Sequence, residues 1–305
     1  RVEPAAEEDD GIRLLVDPGG GGILRSEPGK SAEPLTIDVI FPLVHGWGGE
    51  DGRLQGALEL ASIPYVGAGV TGSAAGMDKA IAKRLFEVCG LPVAPWLELT
   101  EGARSRVEPT LIEKIGLPLF VKPANGGSSV GITRVAEAGK LRAALDEALA
   151  CDNKIVVERG VDAREIECAV LGNDDPRASV LGEIIPAGEF YDYASKYLDG
   201  ASELRIPADL DRRMAEGIRE MALQAFRSLD LSGFARVDFL VDRSTGDVFL
   251  NEVNSLPGFT PISMFPKLWE ATGVAYPRLI EKLVDLARER WRRTRRLRTR
   301  WEPER

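Results

Sequence analysis

Two short segments, Ala235-Arg236-Val237-Asp238-Phe239 and Leu250-Asn251-Glu252-Val253-Asn254, decide how this chain is read. Each alternates apolar and polar residues, the period of a β-strand with one wet face. Arg236 and Asp238 therefore share a face, as do Glu252 and Asn254. The turn residues Arg243–Gly246 fold Phe234–Val241 onto Asp247–Val253, which sets Asp238 opposite Glu252. Two carboxylates, an amide oxygen and an arginine then form one patch. Oxygen donors of this kind suit Mg²⁺, which keeps open positions for phosphate oxygens. A surface salt-bridge cluster is the competing reading.

Outward from the hairpin, the C-terminal half mixes antiparallel strands with helices. Strands are expected at Glu165–Leu171 and Ala178–Ile185, and helices at Asp209–Leu229 and Gly273–Arg290. Upstream, Leu119–Pro123 reads as a strand, Ala124–Ser129 as a Gly/Ser loop and Val130–Val135 as a returning strand. The helix Ala136–Ala150 and the strand Lys154–Glu158 follow, and Asp78–Val88 has helical apolar spacing closed by Gly90 and Pro92. Nearer the start, Ile12–Val16 resembles a strand. Ile37–Phe41, the loop Pro42–Gly52, helix Leu54–Ala61 and Pro64–Val66 suggest part of an open α/β domain. The expected class is α/β joined to α+β, with divisions at 1–75, 76–160 and 161–305.

Bulk properties exclude several classes. In 305 residues, 44% are hydrophobic and 29% charged, a globular balance. No apolar run approaches the roughly 20 residues of a membrane span, and the charged opening residues do not form a signal peptide. Cys89, Cys151 and Cys168 are widely spaced, which suggests reduced thiols in a cytoplasmic protein. The net charge of −9 disfavours a nucleic-acid enzyme. Nine arginines against three glutamates from Arg288 onward leave a basic tail, read either as a solvated helix end or as a nucleic-acid contact.

Three further segments carry chemistry. Lys122 ends a strand and runs into Asn125-Gly126-Gly127-Ser128-Ser129, whose backbone N–H groups can line a polyanion or simply form a hairpin. The segment lacks the GK[ST] of a Walker A loop. Ile155–Glu158 runs through Gly160 and Val161 to Glu165, a strand and turn that can meet a flat base or merely link two domains. His45, the one histidine, opens the loop His45-Gly46-Trp47-Gly48-Gly49-Glu50-Asp51-Gly52.

In this order the pieces resemble the D-alanine–D-alanine ligase family of the ATP-grasp superfamily, from about Ile37 to about Ala287. Tyr65-Val66-Gly67, Met77-Asp78-Lys79, Glu189–Tyr193 with Lys196-Tyr197, and Asn251–Gly258 add to the match. The resemblance implies an ATP-grasp fold with nucleotide between the central and C-terminal domains. It implies ATP-dependent joining of two D-alanines through an acyl phosphate, for peptidoglycan precursors, with two Mg²⁺ (or Mn²⁺). Lys79 and Lys122 would hold phosphates under the loop of Gly126, Gly127, Ser128 and Ser129. Glu158 and Val161 would meet adenine, and Glu165 the ribose. Asp238, Glu252 and Asn254 would ligate metal. Arg236 and the Gly258 N–H would face the oxyanion, Ser263 the second D-alanine's carboxylate, and Lys196 the γ-phosphate. Ser128 and Tyr197 would orient the first substrate, with His45 a candidate base and Glu189–Gly200 the lid. The expected partners are small molecules and a second copy, with no membrane and no nucleic acid.

The family also opens with a strand and a loop of the type HGGxSxE, whose glutamate binds the first amino group. None precedes His45 in the sequence given, and without it nucleotide binding with impaired ligation is expected. A D-serine or D-lactate ligase and a non-catalytic nucleotide-binding remnant are the rival readings; Tyr197 opposes the first.

Overall fold

The computed structural model describes residues 11–15, 22–26, 31–104, 108–127, 130–185, 203–260 and 262–297. Three antiparallel sheets organise these residues. The first joins β1 (Gly11–Leu15), β2 (Gly22–Ser26) and β3 (Glu33–Leu35). The second has four strands: β4 (Trp96–Thr100), β5 (Leu119–Pro123), β6 (Thr133–Val135) and β7 (Lys154–Arg159), in the order β4-β7-β5-β6. The third has five: β8 (Ala163–Gly172), β9 (Arg177–Ile185), β10 (Glu203–Arg205), β11 (Gly233–Asp242) and β12 (Val248–Asn254), in the order β10-β9-β8-β11-β12.

Eight helices are described: α1 (Arg53–Leu60), α2 (Val70–Met77), α3 (Lys79–Val88), α4 (Leu111–Ile115), α5 (Leu141–Cys151), α6 (Arg212–Ser228), α7 (Met264–Ala271) and α8 (Tyr276–Arg295). Strand alternation decides how they pack. On one face of the five-stranded sheet, Ile166, Cys168, Val170, Ala235, Val237 and Phe239 meet Ile218, Ala222 and Phe226 of α6. On the other face, Ala169, Leu171, Ile184 and Phe234 meet α7 and α8 through Phe265, Leu268, Leu279 and Leu283. Farther along that second face the apolar side chains give way to Glu167, Arg236, Asp238, Glu252 and Asn254. Half of the face is core and half is a polar floor.

The four-stranded sheet is built the same way. Leu119, Val121, Ile155 and Val157 bury against Leu141, Leu145 and Ala148 of α5, so the alternate residues Phe120, Lys122, Val156 and Glu158 line the opposite face. Helix α3 lies between the two larger sheets. Its Phe86 is fully buried in the five-stranded sheet's core, worth about 2–3 kcal/mol. Its polar side reaches the other sheet, with Arg84 donating to Glu98 at 2.6 Å and Trp96 donating to Glu87 at 3.0 Å. Asp78 caps the helix by accepting from the N–H groups of Ala80 and Ile81.

Some local expectations are corrected. Ile37–Phe41 and Pro64–Val66 are not strands; they meet in one parallel bridge, Ile40 to Tyr65. Pro42 and Pro64 bound this pairing, and neither has an N–H to extend a ladder. The returning strand expected over Val130–Val135 shrinks to Thr133–Val135, because Gly131 takes a φ of +72°. The closing helix begins at Tyr276, with Pro277 in its first turn, and continues to Arg295. Part of the basic tail is structural. Arg290 stacks on the Tyr65 ring at 4.2 Å, and Arg293 pairs with Asp174.

Candidate active site

The polar floor has the register that the alternation requires. Asp238 pairs with Glu252 on one side and with Glu167 on the other, and Arg236 pairs with Asn254. A bulge interrupts the β11–β12 pairing just past Asp238, where Phe239 is opposite Leu250 and Asn251 is the extra residue. The bulge keeps Glu252 and Asn254 on the polar face while Leu250 and Val253 remain in the core.

Arg236 grips Asp238 with two bonds of 2.7 Å and reaches Glu167 at 3.0 Å. Burial disfavours its charge, but Asp238 and Glu167 outweigh burial and hold the guanidinium well above its ordinary pKa. Asn254 donates its amide to Asp238 at 2.9 Å, which leaves the amide oxygen for other partners. Glu167 was not singled out from the sequence; the alternation in Glu165-Ile166-Glu167 is the signal that could have found it.

Across from this floor, the four-stranded sheet and α3 present three lysines. Lys79 donates to the Gly126 carbonyl at 2.6 Å, and burial lowers its pKa against the pull of Glu252. Lys122 pairs with Glu158 Oε1, and Lys83 pairs with Glu158 Oε2 at 2.9 Å. Burial opposes the Glu158 charge, yet the two lysines overcome it and pull the carboxyl down to about 2. Lys122 is raised in turn: burial opposes its charge, and Glu158 more than compensates. Lys83 was missed in the sequence, because a lone lysine on an amphipathic helix looks solvated. Val161 and Glu165 flank the step from β7 to β8, where the chain passes between the sheets, and both are partly buried.

A third wall is the loop after His45. Glu50 accepts from the Gly46 N–H at 2.7 Å and from the Leu256 N–H at 3.3 Å, tying the loop to the segment following β12. Burial raises the Glu50 pKa. A Cβ on Gly49 would stand 1.9 Å from the Val44 carbonyl oxygen, so only glycine fits there. His45 itself is exposed at the loop's start. Between this loop and Gly126–Gly127 lies a cavity of about 320 Å³, lined by Trp47, Asn125 and Val130 among others. Past β12, Ser263 Oγ accepts from the Thr260 N–H at 3.0 Å, and a Cβ on Gly258 would meet that oxygen at 2.8 Å.

The arrangement thus brings Lys79, Lys122, Gly126, Gly127, Glu158, Arg236, Asp238, Glu252 and Asn254 to facing walls, with Gly258 and Ser263 on the segment that follows β12. Ser128, Ser129, Lys196, Tyr197 and the Glu189–Gly200 segment lie outside the described residues. Among the described residues no three His, Cys, Asp or Glu side chains gather as a metal site. Asp238, Glu252 and the Asn254 amide are two carboxylates and one neutral oxygen, a donor set that fits a hard cation needing further oxygens from phosphate. No helix of the described residues is long and apolar enough to cross a membrane.

Comparison with known proteins agrees with this geometry. Residues 15–68 match the family model "D-ala D-ala ligase N-terminus", and residues 85–285 match "D-ala D-ala ligase C-terminus". The D-alanine–D-alanine ligase of Acetivibrio thermocellus is 52% identical over 270 residues, 86% of this chain and 71% of that protein. That of Geobacillus kaustophilus is 54% identical over 259 residues, 84% and 70% of the two chains. Among solved structures, the D-alanine–D-alanine ligase of Coxiella burnetii has a TM-score of 0.75 at 38% identity, covering 87% of this chain and 72% of its own. The VanG D-Ala:D-Ser ligase of Enterococcus faecalis has a TM-score of 0.81 at 34% identity, covering 90% and 79%. With the two family models matched in order at residues 15–68 and 85–285, and relatives 52% and 54% identical over 86% and 84% of its length, this chain belongs to the D-alanine–D-alanine ligase family.

Proposed function

We propose that this chain condenses two D-alanines into D-alanyl-D-alanine at the expense of ATP, supplying a peptidoglycan precursor. The observation that carries the reading is the register Glu167–Asp238–Glu252. It sets a carboxylate floor whose Glu252 acts on Lys79 and Lys122, which supports a cation site and a polyphosphate site on opposite walls.

The chemistry follows from the charges. A carboxylate is a poor electrophile, so the first D-alanine attacks the γ-phosphate and becomes an acyl phosphate as ADP leaves. Lys79 and Lys122 offset phosphate charge during this transfer. Asp238, Glu252 and Asn254 are the residues to hold two Mg²⁺ (or Mn²⁺), which would neutralise and align the transferring phosphoryl group. The second D-alanine's free amine then attacks the activated carbonyl. Arg236 and the Gly258 N–H are assigned to the oxygen where charge develops, and phosphate departs as the peptide bond forms. Ser263 is assigned to the second carboxylate, Val161 with Glu158 to adenine, and Glu165 to ribose. Lys196, Tyr197, Ser128 and Ser129 keep the roles that the family resemblance implies, and His45 is the candidate base for the incoming ammonium. The domain divisions at 75/76 and 160/161, a cytoplasmic setting and a homodimer belong to the same reading.

Relatives at 52–54% identity are named D-alanine ligases, whereas the D-serine enzyme shares 34%; D-alanine is therefore the assigned acceptor. The test is phosphate release from ATP with D-alanine, D-serine or D-lactate added, and identification of the product. D-alanine-dependent release with D-alanyl-D-alanine formed is expected. ATP turnover indifferent to D-alanine would contradict the reading.

A further inference from the structure

We propose that Lys83 is a positioning residue for nucleotide binding, sharing Glu158 with Lys122 so that the phosphate cradle keeps its net positive charge. The inference deepens the functional reading above and rests on its nucleotide site. No role is assigned to Lys83 by that reading.

The geometry is a three-part bridge. Glu158 is ion-paired with Lys83 through Oε2 at 2.9 Å and with Lys122 through Oε1. The side chains of Lys83 and Glu158 are only 3% and 4% exposed, so water contributes little to their balance. Lys79 stands in the same field, influenced by both Lys122 and Glu158. Taken together, Lys79, Lys83, Lys122 and Glu158 carry a net charge of +2. Without Lys83, Glu158 would close on Lys122 as a neutral pair, leaving Lys79 as the only uncompensated charge.

A purely mechanical role explains these contacts less well. Helix α3 is already fastened by buried Phe86 and by the Arg84–Glu98 and Trp96–Glu87 bonds. An apolar pair would fasten it equally without taking two ions from water. What the ionic trio alone supplies is a carboxylate fixed from two sides, with the Lys122 ammonium held in place and its charge only half spent.

The experiment measures ADP and adenosine binding by calorimetry for the wild type, Lys83→Met, Lys83→Arg and the double variant Lys83→Met with Glu158→Gln. Lys83→Met should weaken ADP roughly tenfold to thirtyfold, the order expected for loss of one unit charge near the phosphates in an effective dielectric of about 20. Adenosine, which lacks phosphate, should bind within about twofold of wild type. Lys83→Arg keeps the charge and should restore ADP binding to within about threefold. The double variant returns the net charge to +2; because Glu158 is also assigned to adenine, its ADP affinity is read relative to its own adenosine affinity, and that ratio should return to the wild-type value. It serves as the readout if Lys83→Met alone does not fold. Unchanged ADP binding in Lys83→Met, equal loss of adenosine, or a double variant whose ADP-to-adenosine affinity ratio stays at that of Lys83→Met would each overturn the proposal. Wild-type ADP binding without D-alanine-dependent phosphate release would instead overturn the ligase reading and leave this inference standing.

Discussion

Replacing Asp238 by asparagine removes one negative charge, and almost no volume, from the centre of the polar floor. Asp238 accepts two bonds of 2.7 Å from Arg236 and one of 2.9 Å from Asn254. An amide can accept only one of the Arg236 bonds, and its NH₂ then points at a second donor. The loss is about one charge-assisted bond, roughly 1.5–3 kcal/mol. Glu167 remains on Arg236 at 3.0 Å, so the guanidinium is not orphaned; a net destabilisation of about 2 kcal/mol is expected, and the protein should still fold. Activity should fall much further. Loss of a partner behind a metal ligand typically costs about 10–100-fold, and loss of a ligand carboxylate should exceed that. The assay is D-alanine-dependent phosphate release at saturating ATP, titrated with magnesium, beside denaturant unfolding of the same preparation. The expected result is a loss of more than about 100-fold with a raised magnesium requirement. If Asp238→Asn keeps activity within threefold at the same magnesium midpoint, the placement of the cation on this floor is wrong.

Three other outcomes follow from the same geometry. Glu158 is held down to about 2 by Lys122 and Lys83 against burial. Its contribution, about 3 kcal/mol, is present above its unfolded value near 4.5 and is lost as pH falls from about 5 towards 2; Glu158→Gln should flatten that limb of an unfolding curve measured against pH. Gly258→Ala puts a Cβ 2.8 Å from Ser263 Oγ, so the segment must shift; kcat should drop about tenfold or more while ADP affinity, read by calorimetry, stays near wild type. Ser263→Ala removes the acceptor of the Thr260 N–H and the group assigned to the second substrate; steady-state kinetics should show KM for D-alanine raised about tenfold, with KM for ATP unchanged.

The legible parts of the molecule were those with a period. Alternation in 235–239 and 250–254 located the polar floor and its register, because a strand with one wet face must alternate. It could not reveal the bulge at Asn251, which depends on pairing rather than on either strand alone. Helix α2, with Val70-Thr71-Gly72-Ser73-Ala74-Ala75-Gly76-Met77, went unread because glycine, serine and threonine have weak helical propensity; packing holds it instead. Ile37–Phe41 was overread, since a short apolar run looks alike whether it pairs along its length or at one residue. The lysine–glutamate bridge was invisible for a different reason. Lys83, Lys122 and Glu158 come from a helix and two strands, and nothing local marks their convergence. Ligand roles for Lys122 and Glu158 came from family resemblance, not from spacing.

The central claim is that the floor of β11 and β12 and the lysines of α3 and β5 clasp one nucleotide from opposite sides. A crystal structure with ADP and magnesium tests this directly. The account predicts metal density bonded to Asp238, Glu252 and the Asn254 amide oxygen, with the diphosphate reaching Lys79 and Lys122. Nucleotide bound elsewhere, or bound with those three side chains turned away from any cation, would contradict it.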